Sequence, residues 1–171
     1  MKKIAIISDT HNNQIILRNS LRNENDLDYI FHLGDYYDDL KDNIDLIQNK
    51  IVIQVPGIYN PKYLDGTLAK TKKVVLDDWK FLLVHDISDS TKFQRESDII
   101  LFGHTHHPTY EVLKGKLFLN PGHLKRDKDR GYEASYCLAE VSEDYIIFSF
   151  KTPSGEIIKQ HKLVREELED K

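Results

Sequence analysis

The chain opens with a short apolar run, Ile4-Ala5-Ile6-Ile7, that stops at Ser8-Asp9. A run of that length and β-rich character reads as a buried strand. Ile15, Ile16, Leu17 and Leu21 then recur at near-helical spacing and predict a helix over 13–23. Asp28 to Leu33 reads as a second strand. Tyr37 to Gln48, with Leu40, Ile44, Leu46 and Ile47, predicts a second helix, and Ile51 to Val55 a third strand. This β-α-β-α-β order is the pattern of a layered parallel sheet.

The later half has a different rhythm. Val74 to Leu76 and Phe81 to Val84 flank Asp77-Asp78-Trp79-Lys80 as a hairpin, and Ile99 to Phe102 is another apolar strand. Glu111 to Leu113 and Lys116 to Leu119 flank Lys114-Gly115, and Tyr136 to Val141 and Tyr145 to Phe150 flank Ser142 to Asp144. Pro153-Ser154-Gly155 marks a turn before a last strand near Ile157. Short strands with tight turns predict a mostly antiparallel sheet here. Residues 56–70, rich in Pro, Gly, Tyr and Asn, read as a loop, and a long loop in a compact domain is often functional.

A length of 171 residues argues for one domain, 1–171, with a charged tail at 164–171 expected to fray. At 40% hydrophobic and 30% charged, the composition is that of an ordinary globular chain. The net charge of −4 and the lack of a basic block argue against a duplex nucleic-acid partner. A mildly acidic protein can still handle phosphates if metals supply the local positive charge. The single cysteine, Cys137, excludes an internal disulfide. The apolar start is too short for a signal peptide, and no segment approaches the ~20 apolar residues of a membrane span. A cytoplasmic protein with no membrane partner is therefore expected.

The reactive residue types gather at strand ends. They are Asp9-Thr10-His11, Gly34-Asp35, Gly57-Ile58-Tyr59-Asn60, His85-Asp86 and Gly103-His104-Thr105-His106. Ligands of layered α/β folds bind at the carboxyl ends of strands, so five strands would deliver donors to one edge. Imidazole, carboxylate and amide oxygen suit divalent metals, and alternation along extended chain lets both members of Asp-x-His or His-x-His face one site. No Cys joins the set, which argues against a structural zinc site. Each piece has a plainer reading alone: Asp9-x-His11 as a helix cap with a surface His, Gly34-Asp35 as a turn, His85 as a hydrogen-bonded strand-end residue. Two imidazoles after a buried strand are less common as plain structure, and the combination carries the argument.

In that order the set resembles the calcineurin-like metallophosphoesterase superfamily, and is most similar to its short YfcE-type phosphodiesterase branch. Ser8 to His11, Leu33-Gly34-Asp35, Phe102 to His106 with Pro108, and Leu119 to Gly122 carry the resemblance, which covers roughly residues 1–150. It implies an α/β (α+β) fold, a four-layer α-β-β-α sandwich of two mixed β-sheets flanked by helices. It also implies two divalent ions, with Asp9, His11, Asp35 and His106 holding one and Asp35, Asn60, His85 and His104 the other. Asp35 would bridge, which suits a carboxylate with two oxygens at ions roughly 3.5–4 Å apart. Asp35, His104 and Asn60 would stand closest to the chemistry. Manganese is the expected ion, and the donor set also admits iron, zinc or nickel. The reaction implied is hydrolysis of a small phosphodiester by metal-bound hydroxide.

Two departures from the family pattern matter. The usual Gly-Asn dipeptide is interrupted here, so Asn60 is the expected ligand from a loop two residues longer. Relatives often place a His general acid directly after that Asn, and this chain has Pro61. Its lack favours diesters or esters with good leaving groups.

Weaker candidates surround this set. His123 would face substrate or cap its loop, and Tyr36, Tyr37 and Tyr59 would stack a nucleobase or simply pack. Arg126 and Arg130 suit a substrate phosphate or a solvated loop. Asp38 and Asp86 would orient ligands. His32 reads as core, and His107 and His161 as surface. A protein-interaction scaffold, as in the retromer subunit of the same architecture, and a nuclease are the competing functions. A homodimer is the expected oligomer, being the commonest symmetric assembly.

Overall fold

The computed structural model describes residues 1–169. Two mixed β-sheets pack face to face with few helices around them. The first sheet contains β1 (Lys2–Ile7), β2 (Tyr29–His32), β3 (Ile51–Gln54), β11 (Tyr136–Val141), β12 (Tyr145–Lys151) and β13 (Ile157–Val164), in the order β13-β12-β11-β1-β2-β3. The second contains β4 (Thr71–Leu76), β5 (Trp79–Val84), β6 (Ile99–Leu101), β7 (Thr109–Leu113) and β8 (Lys116–Asn120), in the order β4-β5-β6-β8-β7. A small two-stranded ribbon, β9 (Lys128–Asp129) with β10 (Tyr132–Glu133), lies apart from both.

The side-chain alternation of a strand explains why β1 and β5 read as unbroken apolar runs. Ile4 and Ile6 point into the core between the sheets, and Ala5 and Ile7 point outward under a helix. Phe81 and Leu83 of β5 face the same inter-sheet core as Ile4 and Phe31, whereas Leu82 and Val84 form an outer cluster. Strands covered on both faces lose the apolar–polar alternation of half-exposed ones. The outer face of the first sheet is covered by α1 (Gln14–Arg22), through its buried Ile16, Leu17 and Leu21. Asn13 caps that helix by accepting from the Ile16 N–H at 3.2 Å. The outer face of the second sheet is covered by 3-10 turns at Ile87–Ser90 and Gln94–Glu96, with Ile87 and Phe93 packing on it.

Two expectations from the sequence need correction. The helix expected over Tyr37–Gln48 is only a 3-10 turn at Lys41–Asn43 followed by the one-turn α2 (Ile44–Ile47). Polar side chains take over the backbone there: Asn43 donates to the Asp39 carbonyl at 2.6 Å, and Asp39 turns inward to Thr10 and His32. Asn and Asp compete with helix in this way. The later half is also not a mostly antiparallel sheet of its own. β5, β6 and β8 run parallel, while β11 to β13 join the first sheet antiparallel through β1. Short apolar runs carry no direction, so this partition could not be read from pattern. At the charged tail, Arg165–Leu168 form a 3-10 turn, and residues 170 and 171 lie outside the described residues.

Candidate metal centre

The ends of β1, β2, β5 and β6 bring Asp9, His11, Asp35, His85, His104 and His106 to one edge where the two sheets meet. Backbone hydrogen bonds stitch the strand ends together: Asp9 N–H to the Gly34 carbonyl and His11 N–H to the Asp35 carbonyl, both at 2.8 Å, and Gly103 N–H to the His85 carbonyl at 3.0 Å. The chain turns sharply to aim the side chains. Asp9, His11, Asp35, His104 and His106 all sit at positive φ, between 43° and 68°. That region is sparsely used by non-glycine residues, and strain of this kind concentrates at functional sites.

Two glycines make the approach possible. A Cβ on Gly103 would lie 2.1 Å from Ser8 Oγ and 2.7 Å from Asp9 Oδ2. One on Gly57 would lie 1.7 Å from Asp35 Oδ1. The glycine preceding His104 and the one ahead of Asn60 thus leave room for the two carboxylates.

Hydrogen bonds from behind fix which atoms face inward. Asp9 Oδ2 accepts from Ser8 Oγ at 2.6 Å and from the His104 N–H at 3.0 Å, leaving the buried Oδ1 with no hydrogen-bond partner. His85 Nδ1 donates to the Leu33 carbonyl at 2.7 Å, and its buried Nε2, also without a hydrogen-bond partner, faces Asp35 Oδ2 at 3.3 Å. His106 Nδ1 donates to Asp129 Oδ2 at 2.5 Å, and its Nε2 lies 3.2 Å from Asp9 Oδ1 and 3.3 Å from His11 Nε2. His11 Nε2 is 3.8 Å from Asp9 Oδ1 and 3.7 Å from Asp35 Oδ2. Carboxylate oxygens and imidazole nitrogens therefore converge with their outer atoms already committed. Metal-binding histidines are held this way, by a carbonyl or carboxylate on the other ring nitrogen. Asp9, His11 and His106 form one group compact enough for an ion, and Asp9, Asp35 and His85 a second. The donors fit divalent metal ions.

The titration behaviour follows from the same contacts. Burial pushes the Asp9 carboxyl up, but the nearby His106 and His85 imidazoles and the Ser8 hydroxyl outweigh it and hold Asp9 below the ordinary carboxylate range. Burial lowers His11. For His85, burial is outweighed by Asp35 and Asp9, and the imidazole is raised. Burial would raise Asp129, yet His106 and Lys125 bring it down to about 2.

The remaining expected residues are placed unevenly. The His104 ring stands edge-on to His85, with centroids 5.3 Å apart. Asn60 lines a cavity of about 290 Å³ together with His11 and Asp35, but its Oδ1 accepts from the Lys62 N–H at 2.9 Å and so caps α3 (Pro61–Leu64). Tyr36, Tyr37 and Tyr59 line that cavity too. His123 is buried, with Nε2 against the Tyr132 carbonyl at 2.8 Å and Nδ1 accepting from the Lys125 N–H. It packs on the His106 ring and serves its loop. Arg126 pairs with Asp129 at 2.7 Å, and Arg130 donates to the His104 carbonyl at 2.9 Å.

The orienting partners expected at Asp38 and Asp86 are a correction. Asp38 pairs with Lys41, and Asp86 caps the turn at Ser88. The work falls to Asp129, Ser8 and the Leu33 carbonyl, and behind them to a buried group in which Thr10 and His32 both reach Asp39. Asp129 sits in a charged stretch with no spacing that marks it, and Asp39 looks like any helical acid. His32 is core, as expected, while His107 stacks on Tyr132 and His161 on Tyr110.

The probable metallophosphoesterase YsnB of Bacillus subtilis is 26% identical over 91% of this chain and 94% of its own. The phosphodiesterase MJ0936 of Methanocaldococcus jannaschii is 26% identical over 70% and 82%. Among solved structures, Vacuolar Protein Sorting 29 from Cryptosporidium parvum superposes with TM-score 0.72 at 18% identity, covering 95% of this chain and 98% of that one. The phosphoesterase Yfce of E. coli gives TM-score 0.65 at 20% identity, covering 93% and 98%. No helix among the described residues is long and apolar enough to cross a membrane. Residues 1–144 match the family model of the calcineurin-like phosphoesterase superfamily domain, and the chain belongs to that superfamily.

Proposed function

We propose that the chain is a binuclear metal-dependent phosphodiesterase acting on a small phosphate diester. The observation that carries this reading is the inward convergence of Asp9 Oδ1 and His85 Nε2, buried without hydrogen-bond partners, with the Nε2 atoms of His106 and His11 and with Asp35 Oδ2. Buried polar atoms left open in this way are costly unless something binds them. Asp9, His11 and His106 would hold one ion, His85, His104 and Asn60 the other, and Asp35 would serve both. Two divalent ions there, with manganese the expected one, would supply a nucleophile at neutral pH and offset the charge on the phosphoryl oxygens.

The chain's own residues do the positioning. Asp129 and the Leu33 carbonyl keep the Nδ1 protons of His106 and His85 on the outer side, so that both Nε2 lone pairs stay available. Ser8 and the His104 N–H orient Asp9. With Pro61 after Asn60, no imidazole stands there to protonate a leaving group. That supports diesters whose leaving group departs as a stable anion. The competing reading is a metal-binding protein-interaction scaffold of the same fold, which would hold metal on these donors without turnover.

The test is hydrolysis of bis-p-nitrophenyl phosphate by metal-stripped protein before and after Mn²⁺ is added. Turnover that needs the metal and is lost in Asp35→Asn and His104→Ala is the expected result. Folded protein with no turnover under any divalent ion would overturn the proposal and bring the scaffold forward.

A further inference from the structure

Three tyrosines line the cavity beside the candidate centre. His11 and Asp35 form its inner end, and Tyr36, Tyr37, Tyr59 and Pro61 wall it outward. Tyr36 is 44% exposed and Tyr59 74%. Neither phenol has a hydrogen-bond partner that would explain its place, in contrast to Tyr63, whose hydroxyl bonds Asp89, and Tyr136, whose hydroxyl bonds Glu24. Exposed rings at the mouth of a polar site offer flat faces to a flat ligand.

From this the geometry points to a nucleoside-binding subsite: Tyr36, Tyr37 and Tyr59 receive the base of a nucleotide ester whose phosphorus lies at the adjacent donor cluster. The proposal rests on the phosphodiesterase reading and narrows its substrate. Two features select a base over other occupants. Three tyrosines stand in the wall, so a planar group gains more from it than an alkyl chain. At about 290 Å³ the space lies at the small end of the ~300–1,000 Å³ typical of ligand pockets, which suits one nucleoside and not a polymer strand. The reach is also short, because the cavity shares His11 and Asp35 with the cluster itself.

The experiment compares ligands that differ only in the nucleoside. Calorimetry on Mn²⁺-loaded protein would titrate adenosine 5′-monophosphate against methyl phosphate. Alongside, kcat/KM would be measured for thymidine 5′-p-nitrophenyl phosphate and methyl p-nitrophenyl phosphate, which share a leaving group. The expected result is a preference for the nucleoside-bearing member of each pair of about tenfold or more, the scale of one base–aromatic stack. In the double variant Tyr36→Leu/Tyr59→Leu the preference should shrink to within about threefold, and in Tyr36→Phe/Tyr59→Phe, which keeps the rings, it should persist. Both positions are exposed, and an unchanged melting temperature would verify the fold. Equal binding of the two ligands, or a preference that survives the Leu variant, would overturn the subsite while leaving phosphodiester hydrolysis intact. Failure of both ligands to bind and of both esters to turn over would instead remove the phosphodiesterase reading, and the subsite with it.

Discussion

The two sides of the candidate centre are built to different standards. On the side of β1, β5 and β6, Asp9, His85 and His106 are at most 1% exposed, and each has its outer atom committed to a hydroxyl, a carbonyl or a carboxylate. On the side of β3, Tyr59 stands in solvent, and Asn60 spends its oxygen capping a one-turn helix. The first side is fixed before anything binds; the second is free to vary. Sites that hold charge need rigid support, whereas specificity is commonly carried by loops on a rigid frame.

That contrast can be broken at its strongest point first. Asp35→Asn should lower kcat/KM for a diester about a thousandfold, the loss typical of removing a group that stabilises developing charge. Steady-state kinetics at saturating Mn²⁺ would read it, and a loss below tenfold would show that Asp35 does not serve both ions. Next, chelation should lower the melting temperature of the loaded wild type by roughly 5–10 °C, as expected for an ion present at about a hundred times its dissociation constant. The shift should be clearly smaller in Asp35→Asn. Asp129→Asn should weaken ion binding about 10–100-fold by releasing His106 Nδ1, measured by competition with a chromophoric chelator. Asn60→Ala should do least: under tenfold in ion affinity and about 1 kcal/mol in stability from the lost cap. A larger affinity loss at Asn60 than at Asp129 would invert the comparison.

Much of this site was visible as sequence because short motifs report local geometry. Gly103-His104-Thr105-His106 puts a glycine where a backbone must pass a carboxylate and two imidazoles where a buried strand ends. The strand runs of the first half were equally plain, since β1 and β2 are buried on both faces. What stayed hidden depends on contacts between distant segments. Asp129 meets His106 across 23 residues, and Thr10 meets Asp39 across 29. The failed helix at Tyr37–Gln48 has the same origin: Asp39, which reads as part of its first turn, is instead turned inward behind the donor cluster. The parallel pairing of β5, β6 and β8 was hidden because register and direction are set by neighbours a strand cannot name.

The left-handed backbone at Asp9, His11, Asp35, His104 and His106 has one more consequence. Such positions cost on the order of 1 kcal/mol each, and together they rival the ~5–15 kcal/mol margin of an ordinary domain. An ion that binds only the folded arrangement would return much of that cost. The folded fraction would then follow metal supply, so a starved chain would be cut by proteases faster than a supplied one. The backbone that aims these side chains would thereby make the lifetime of the protein a gauge of the metal around it.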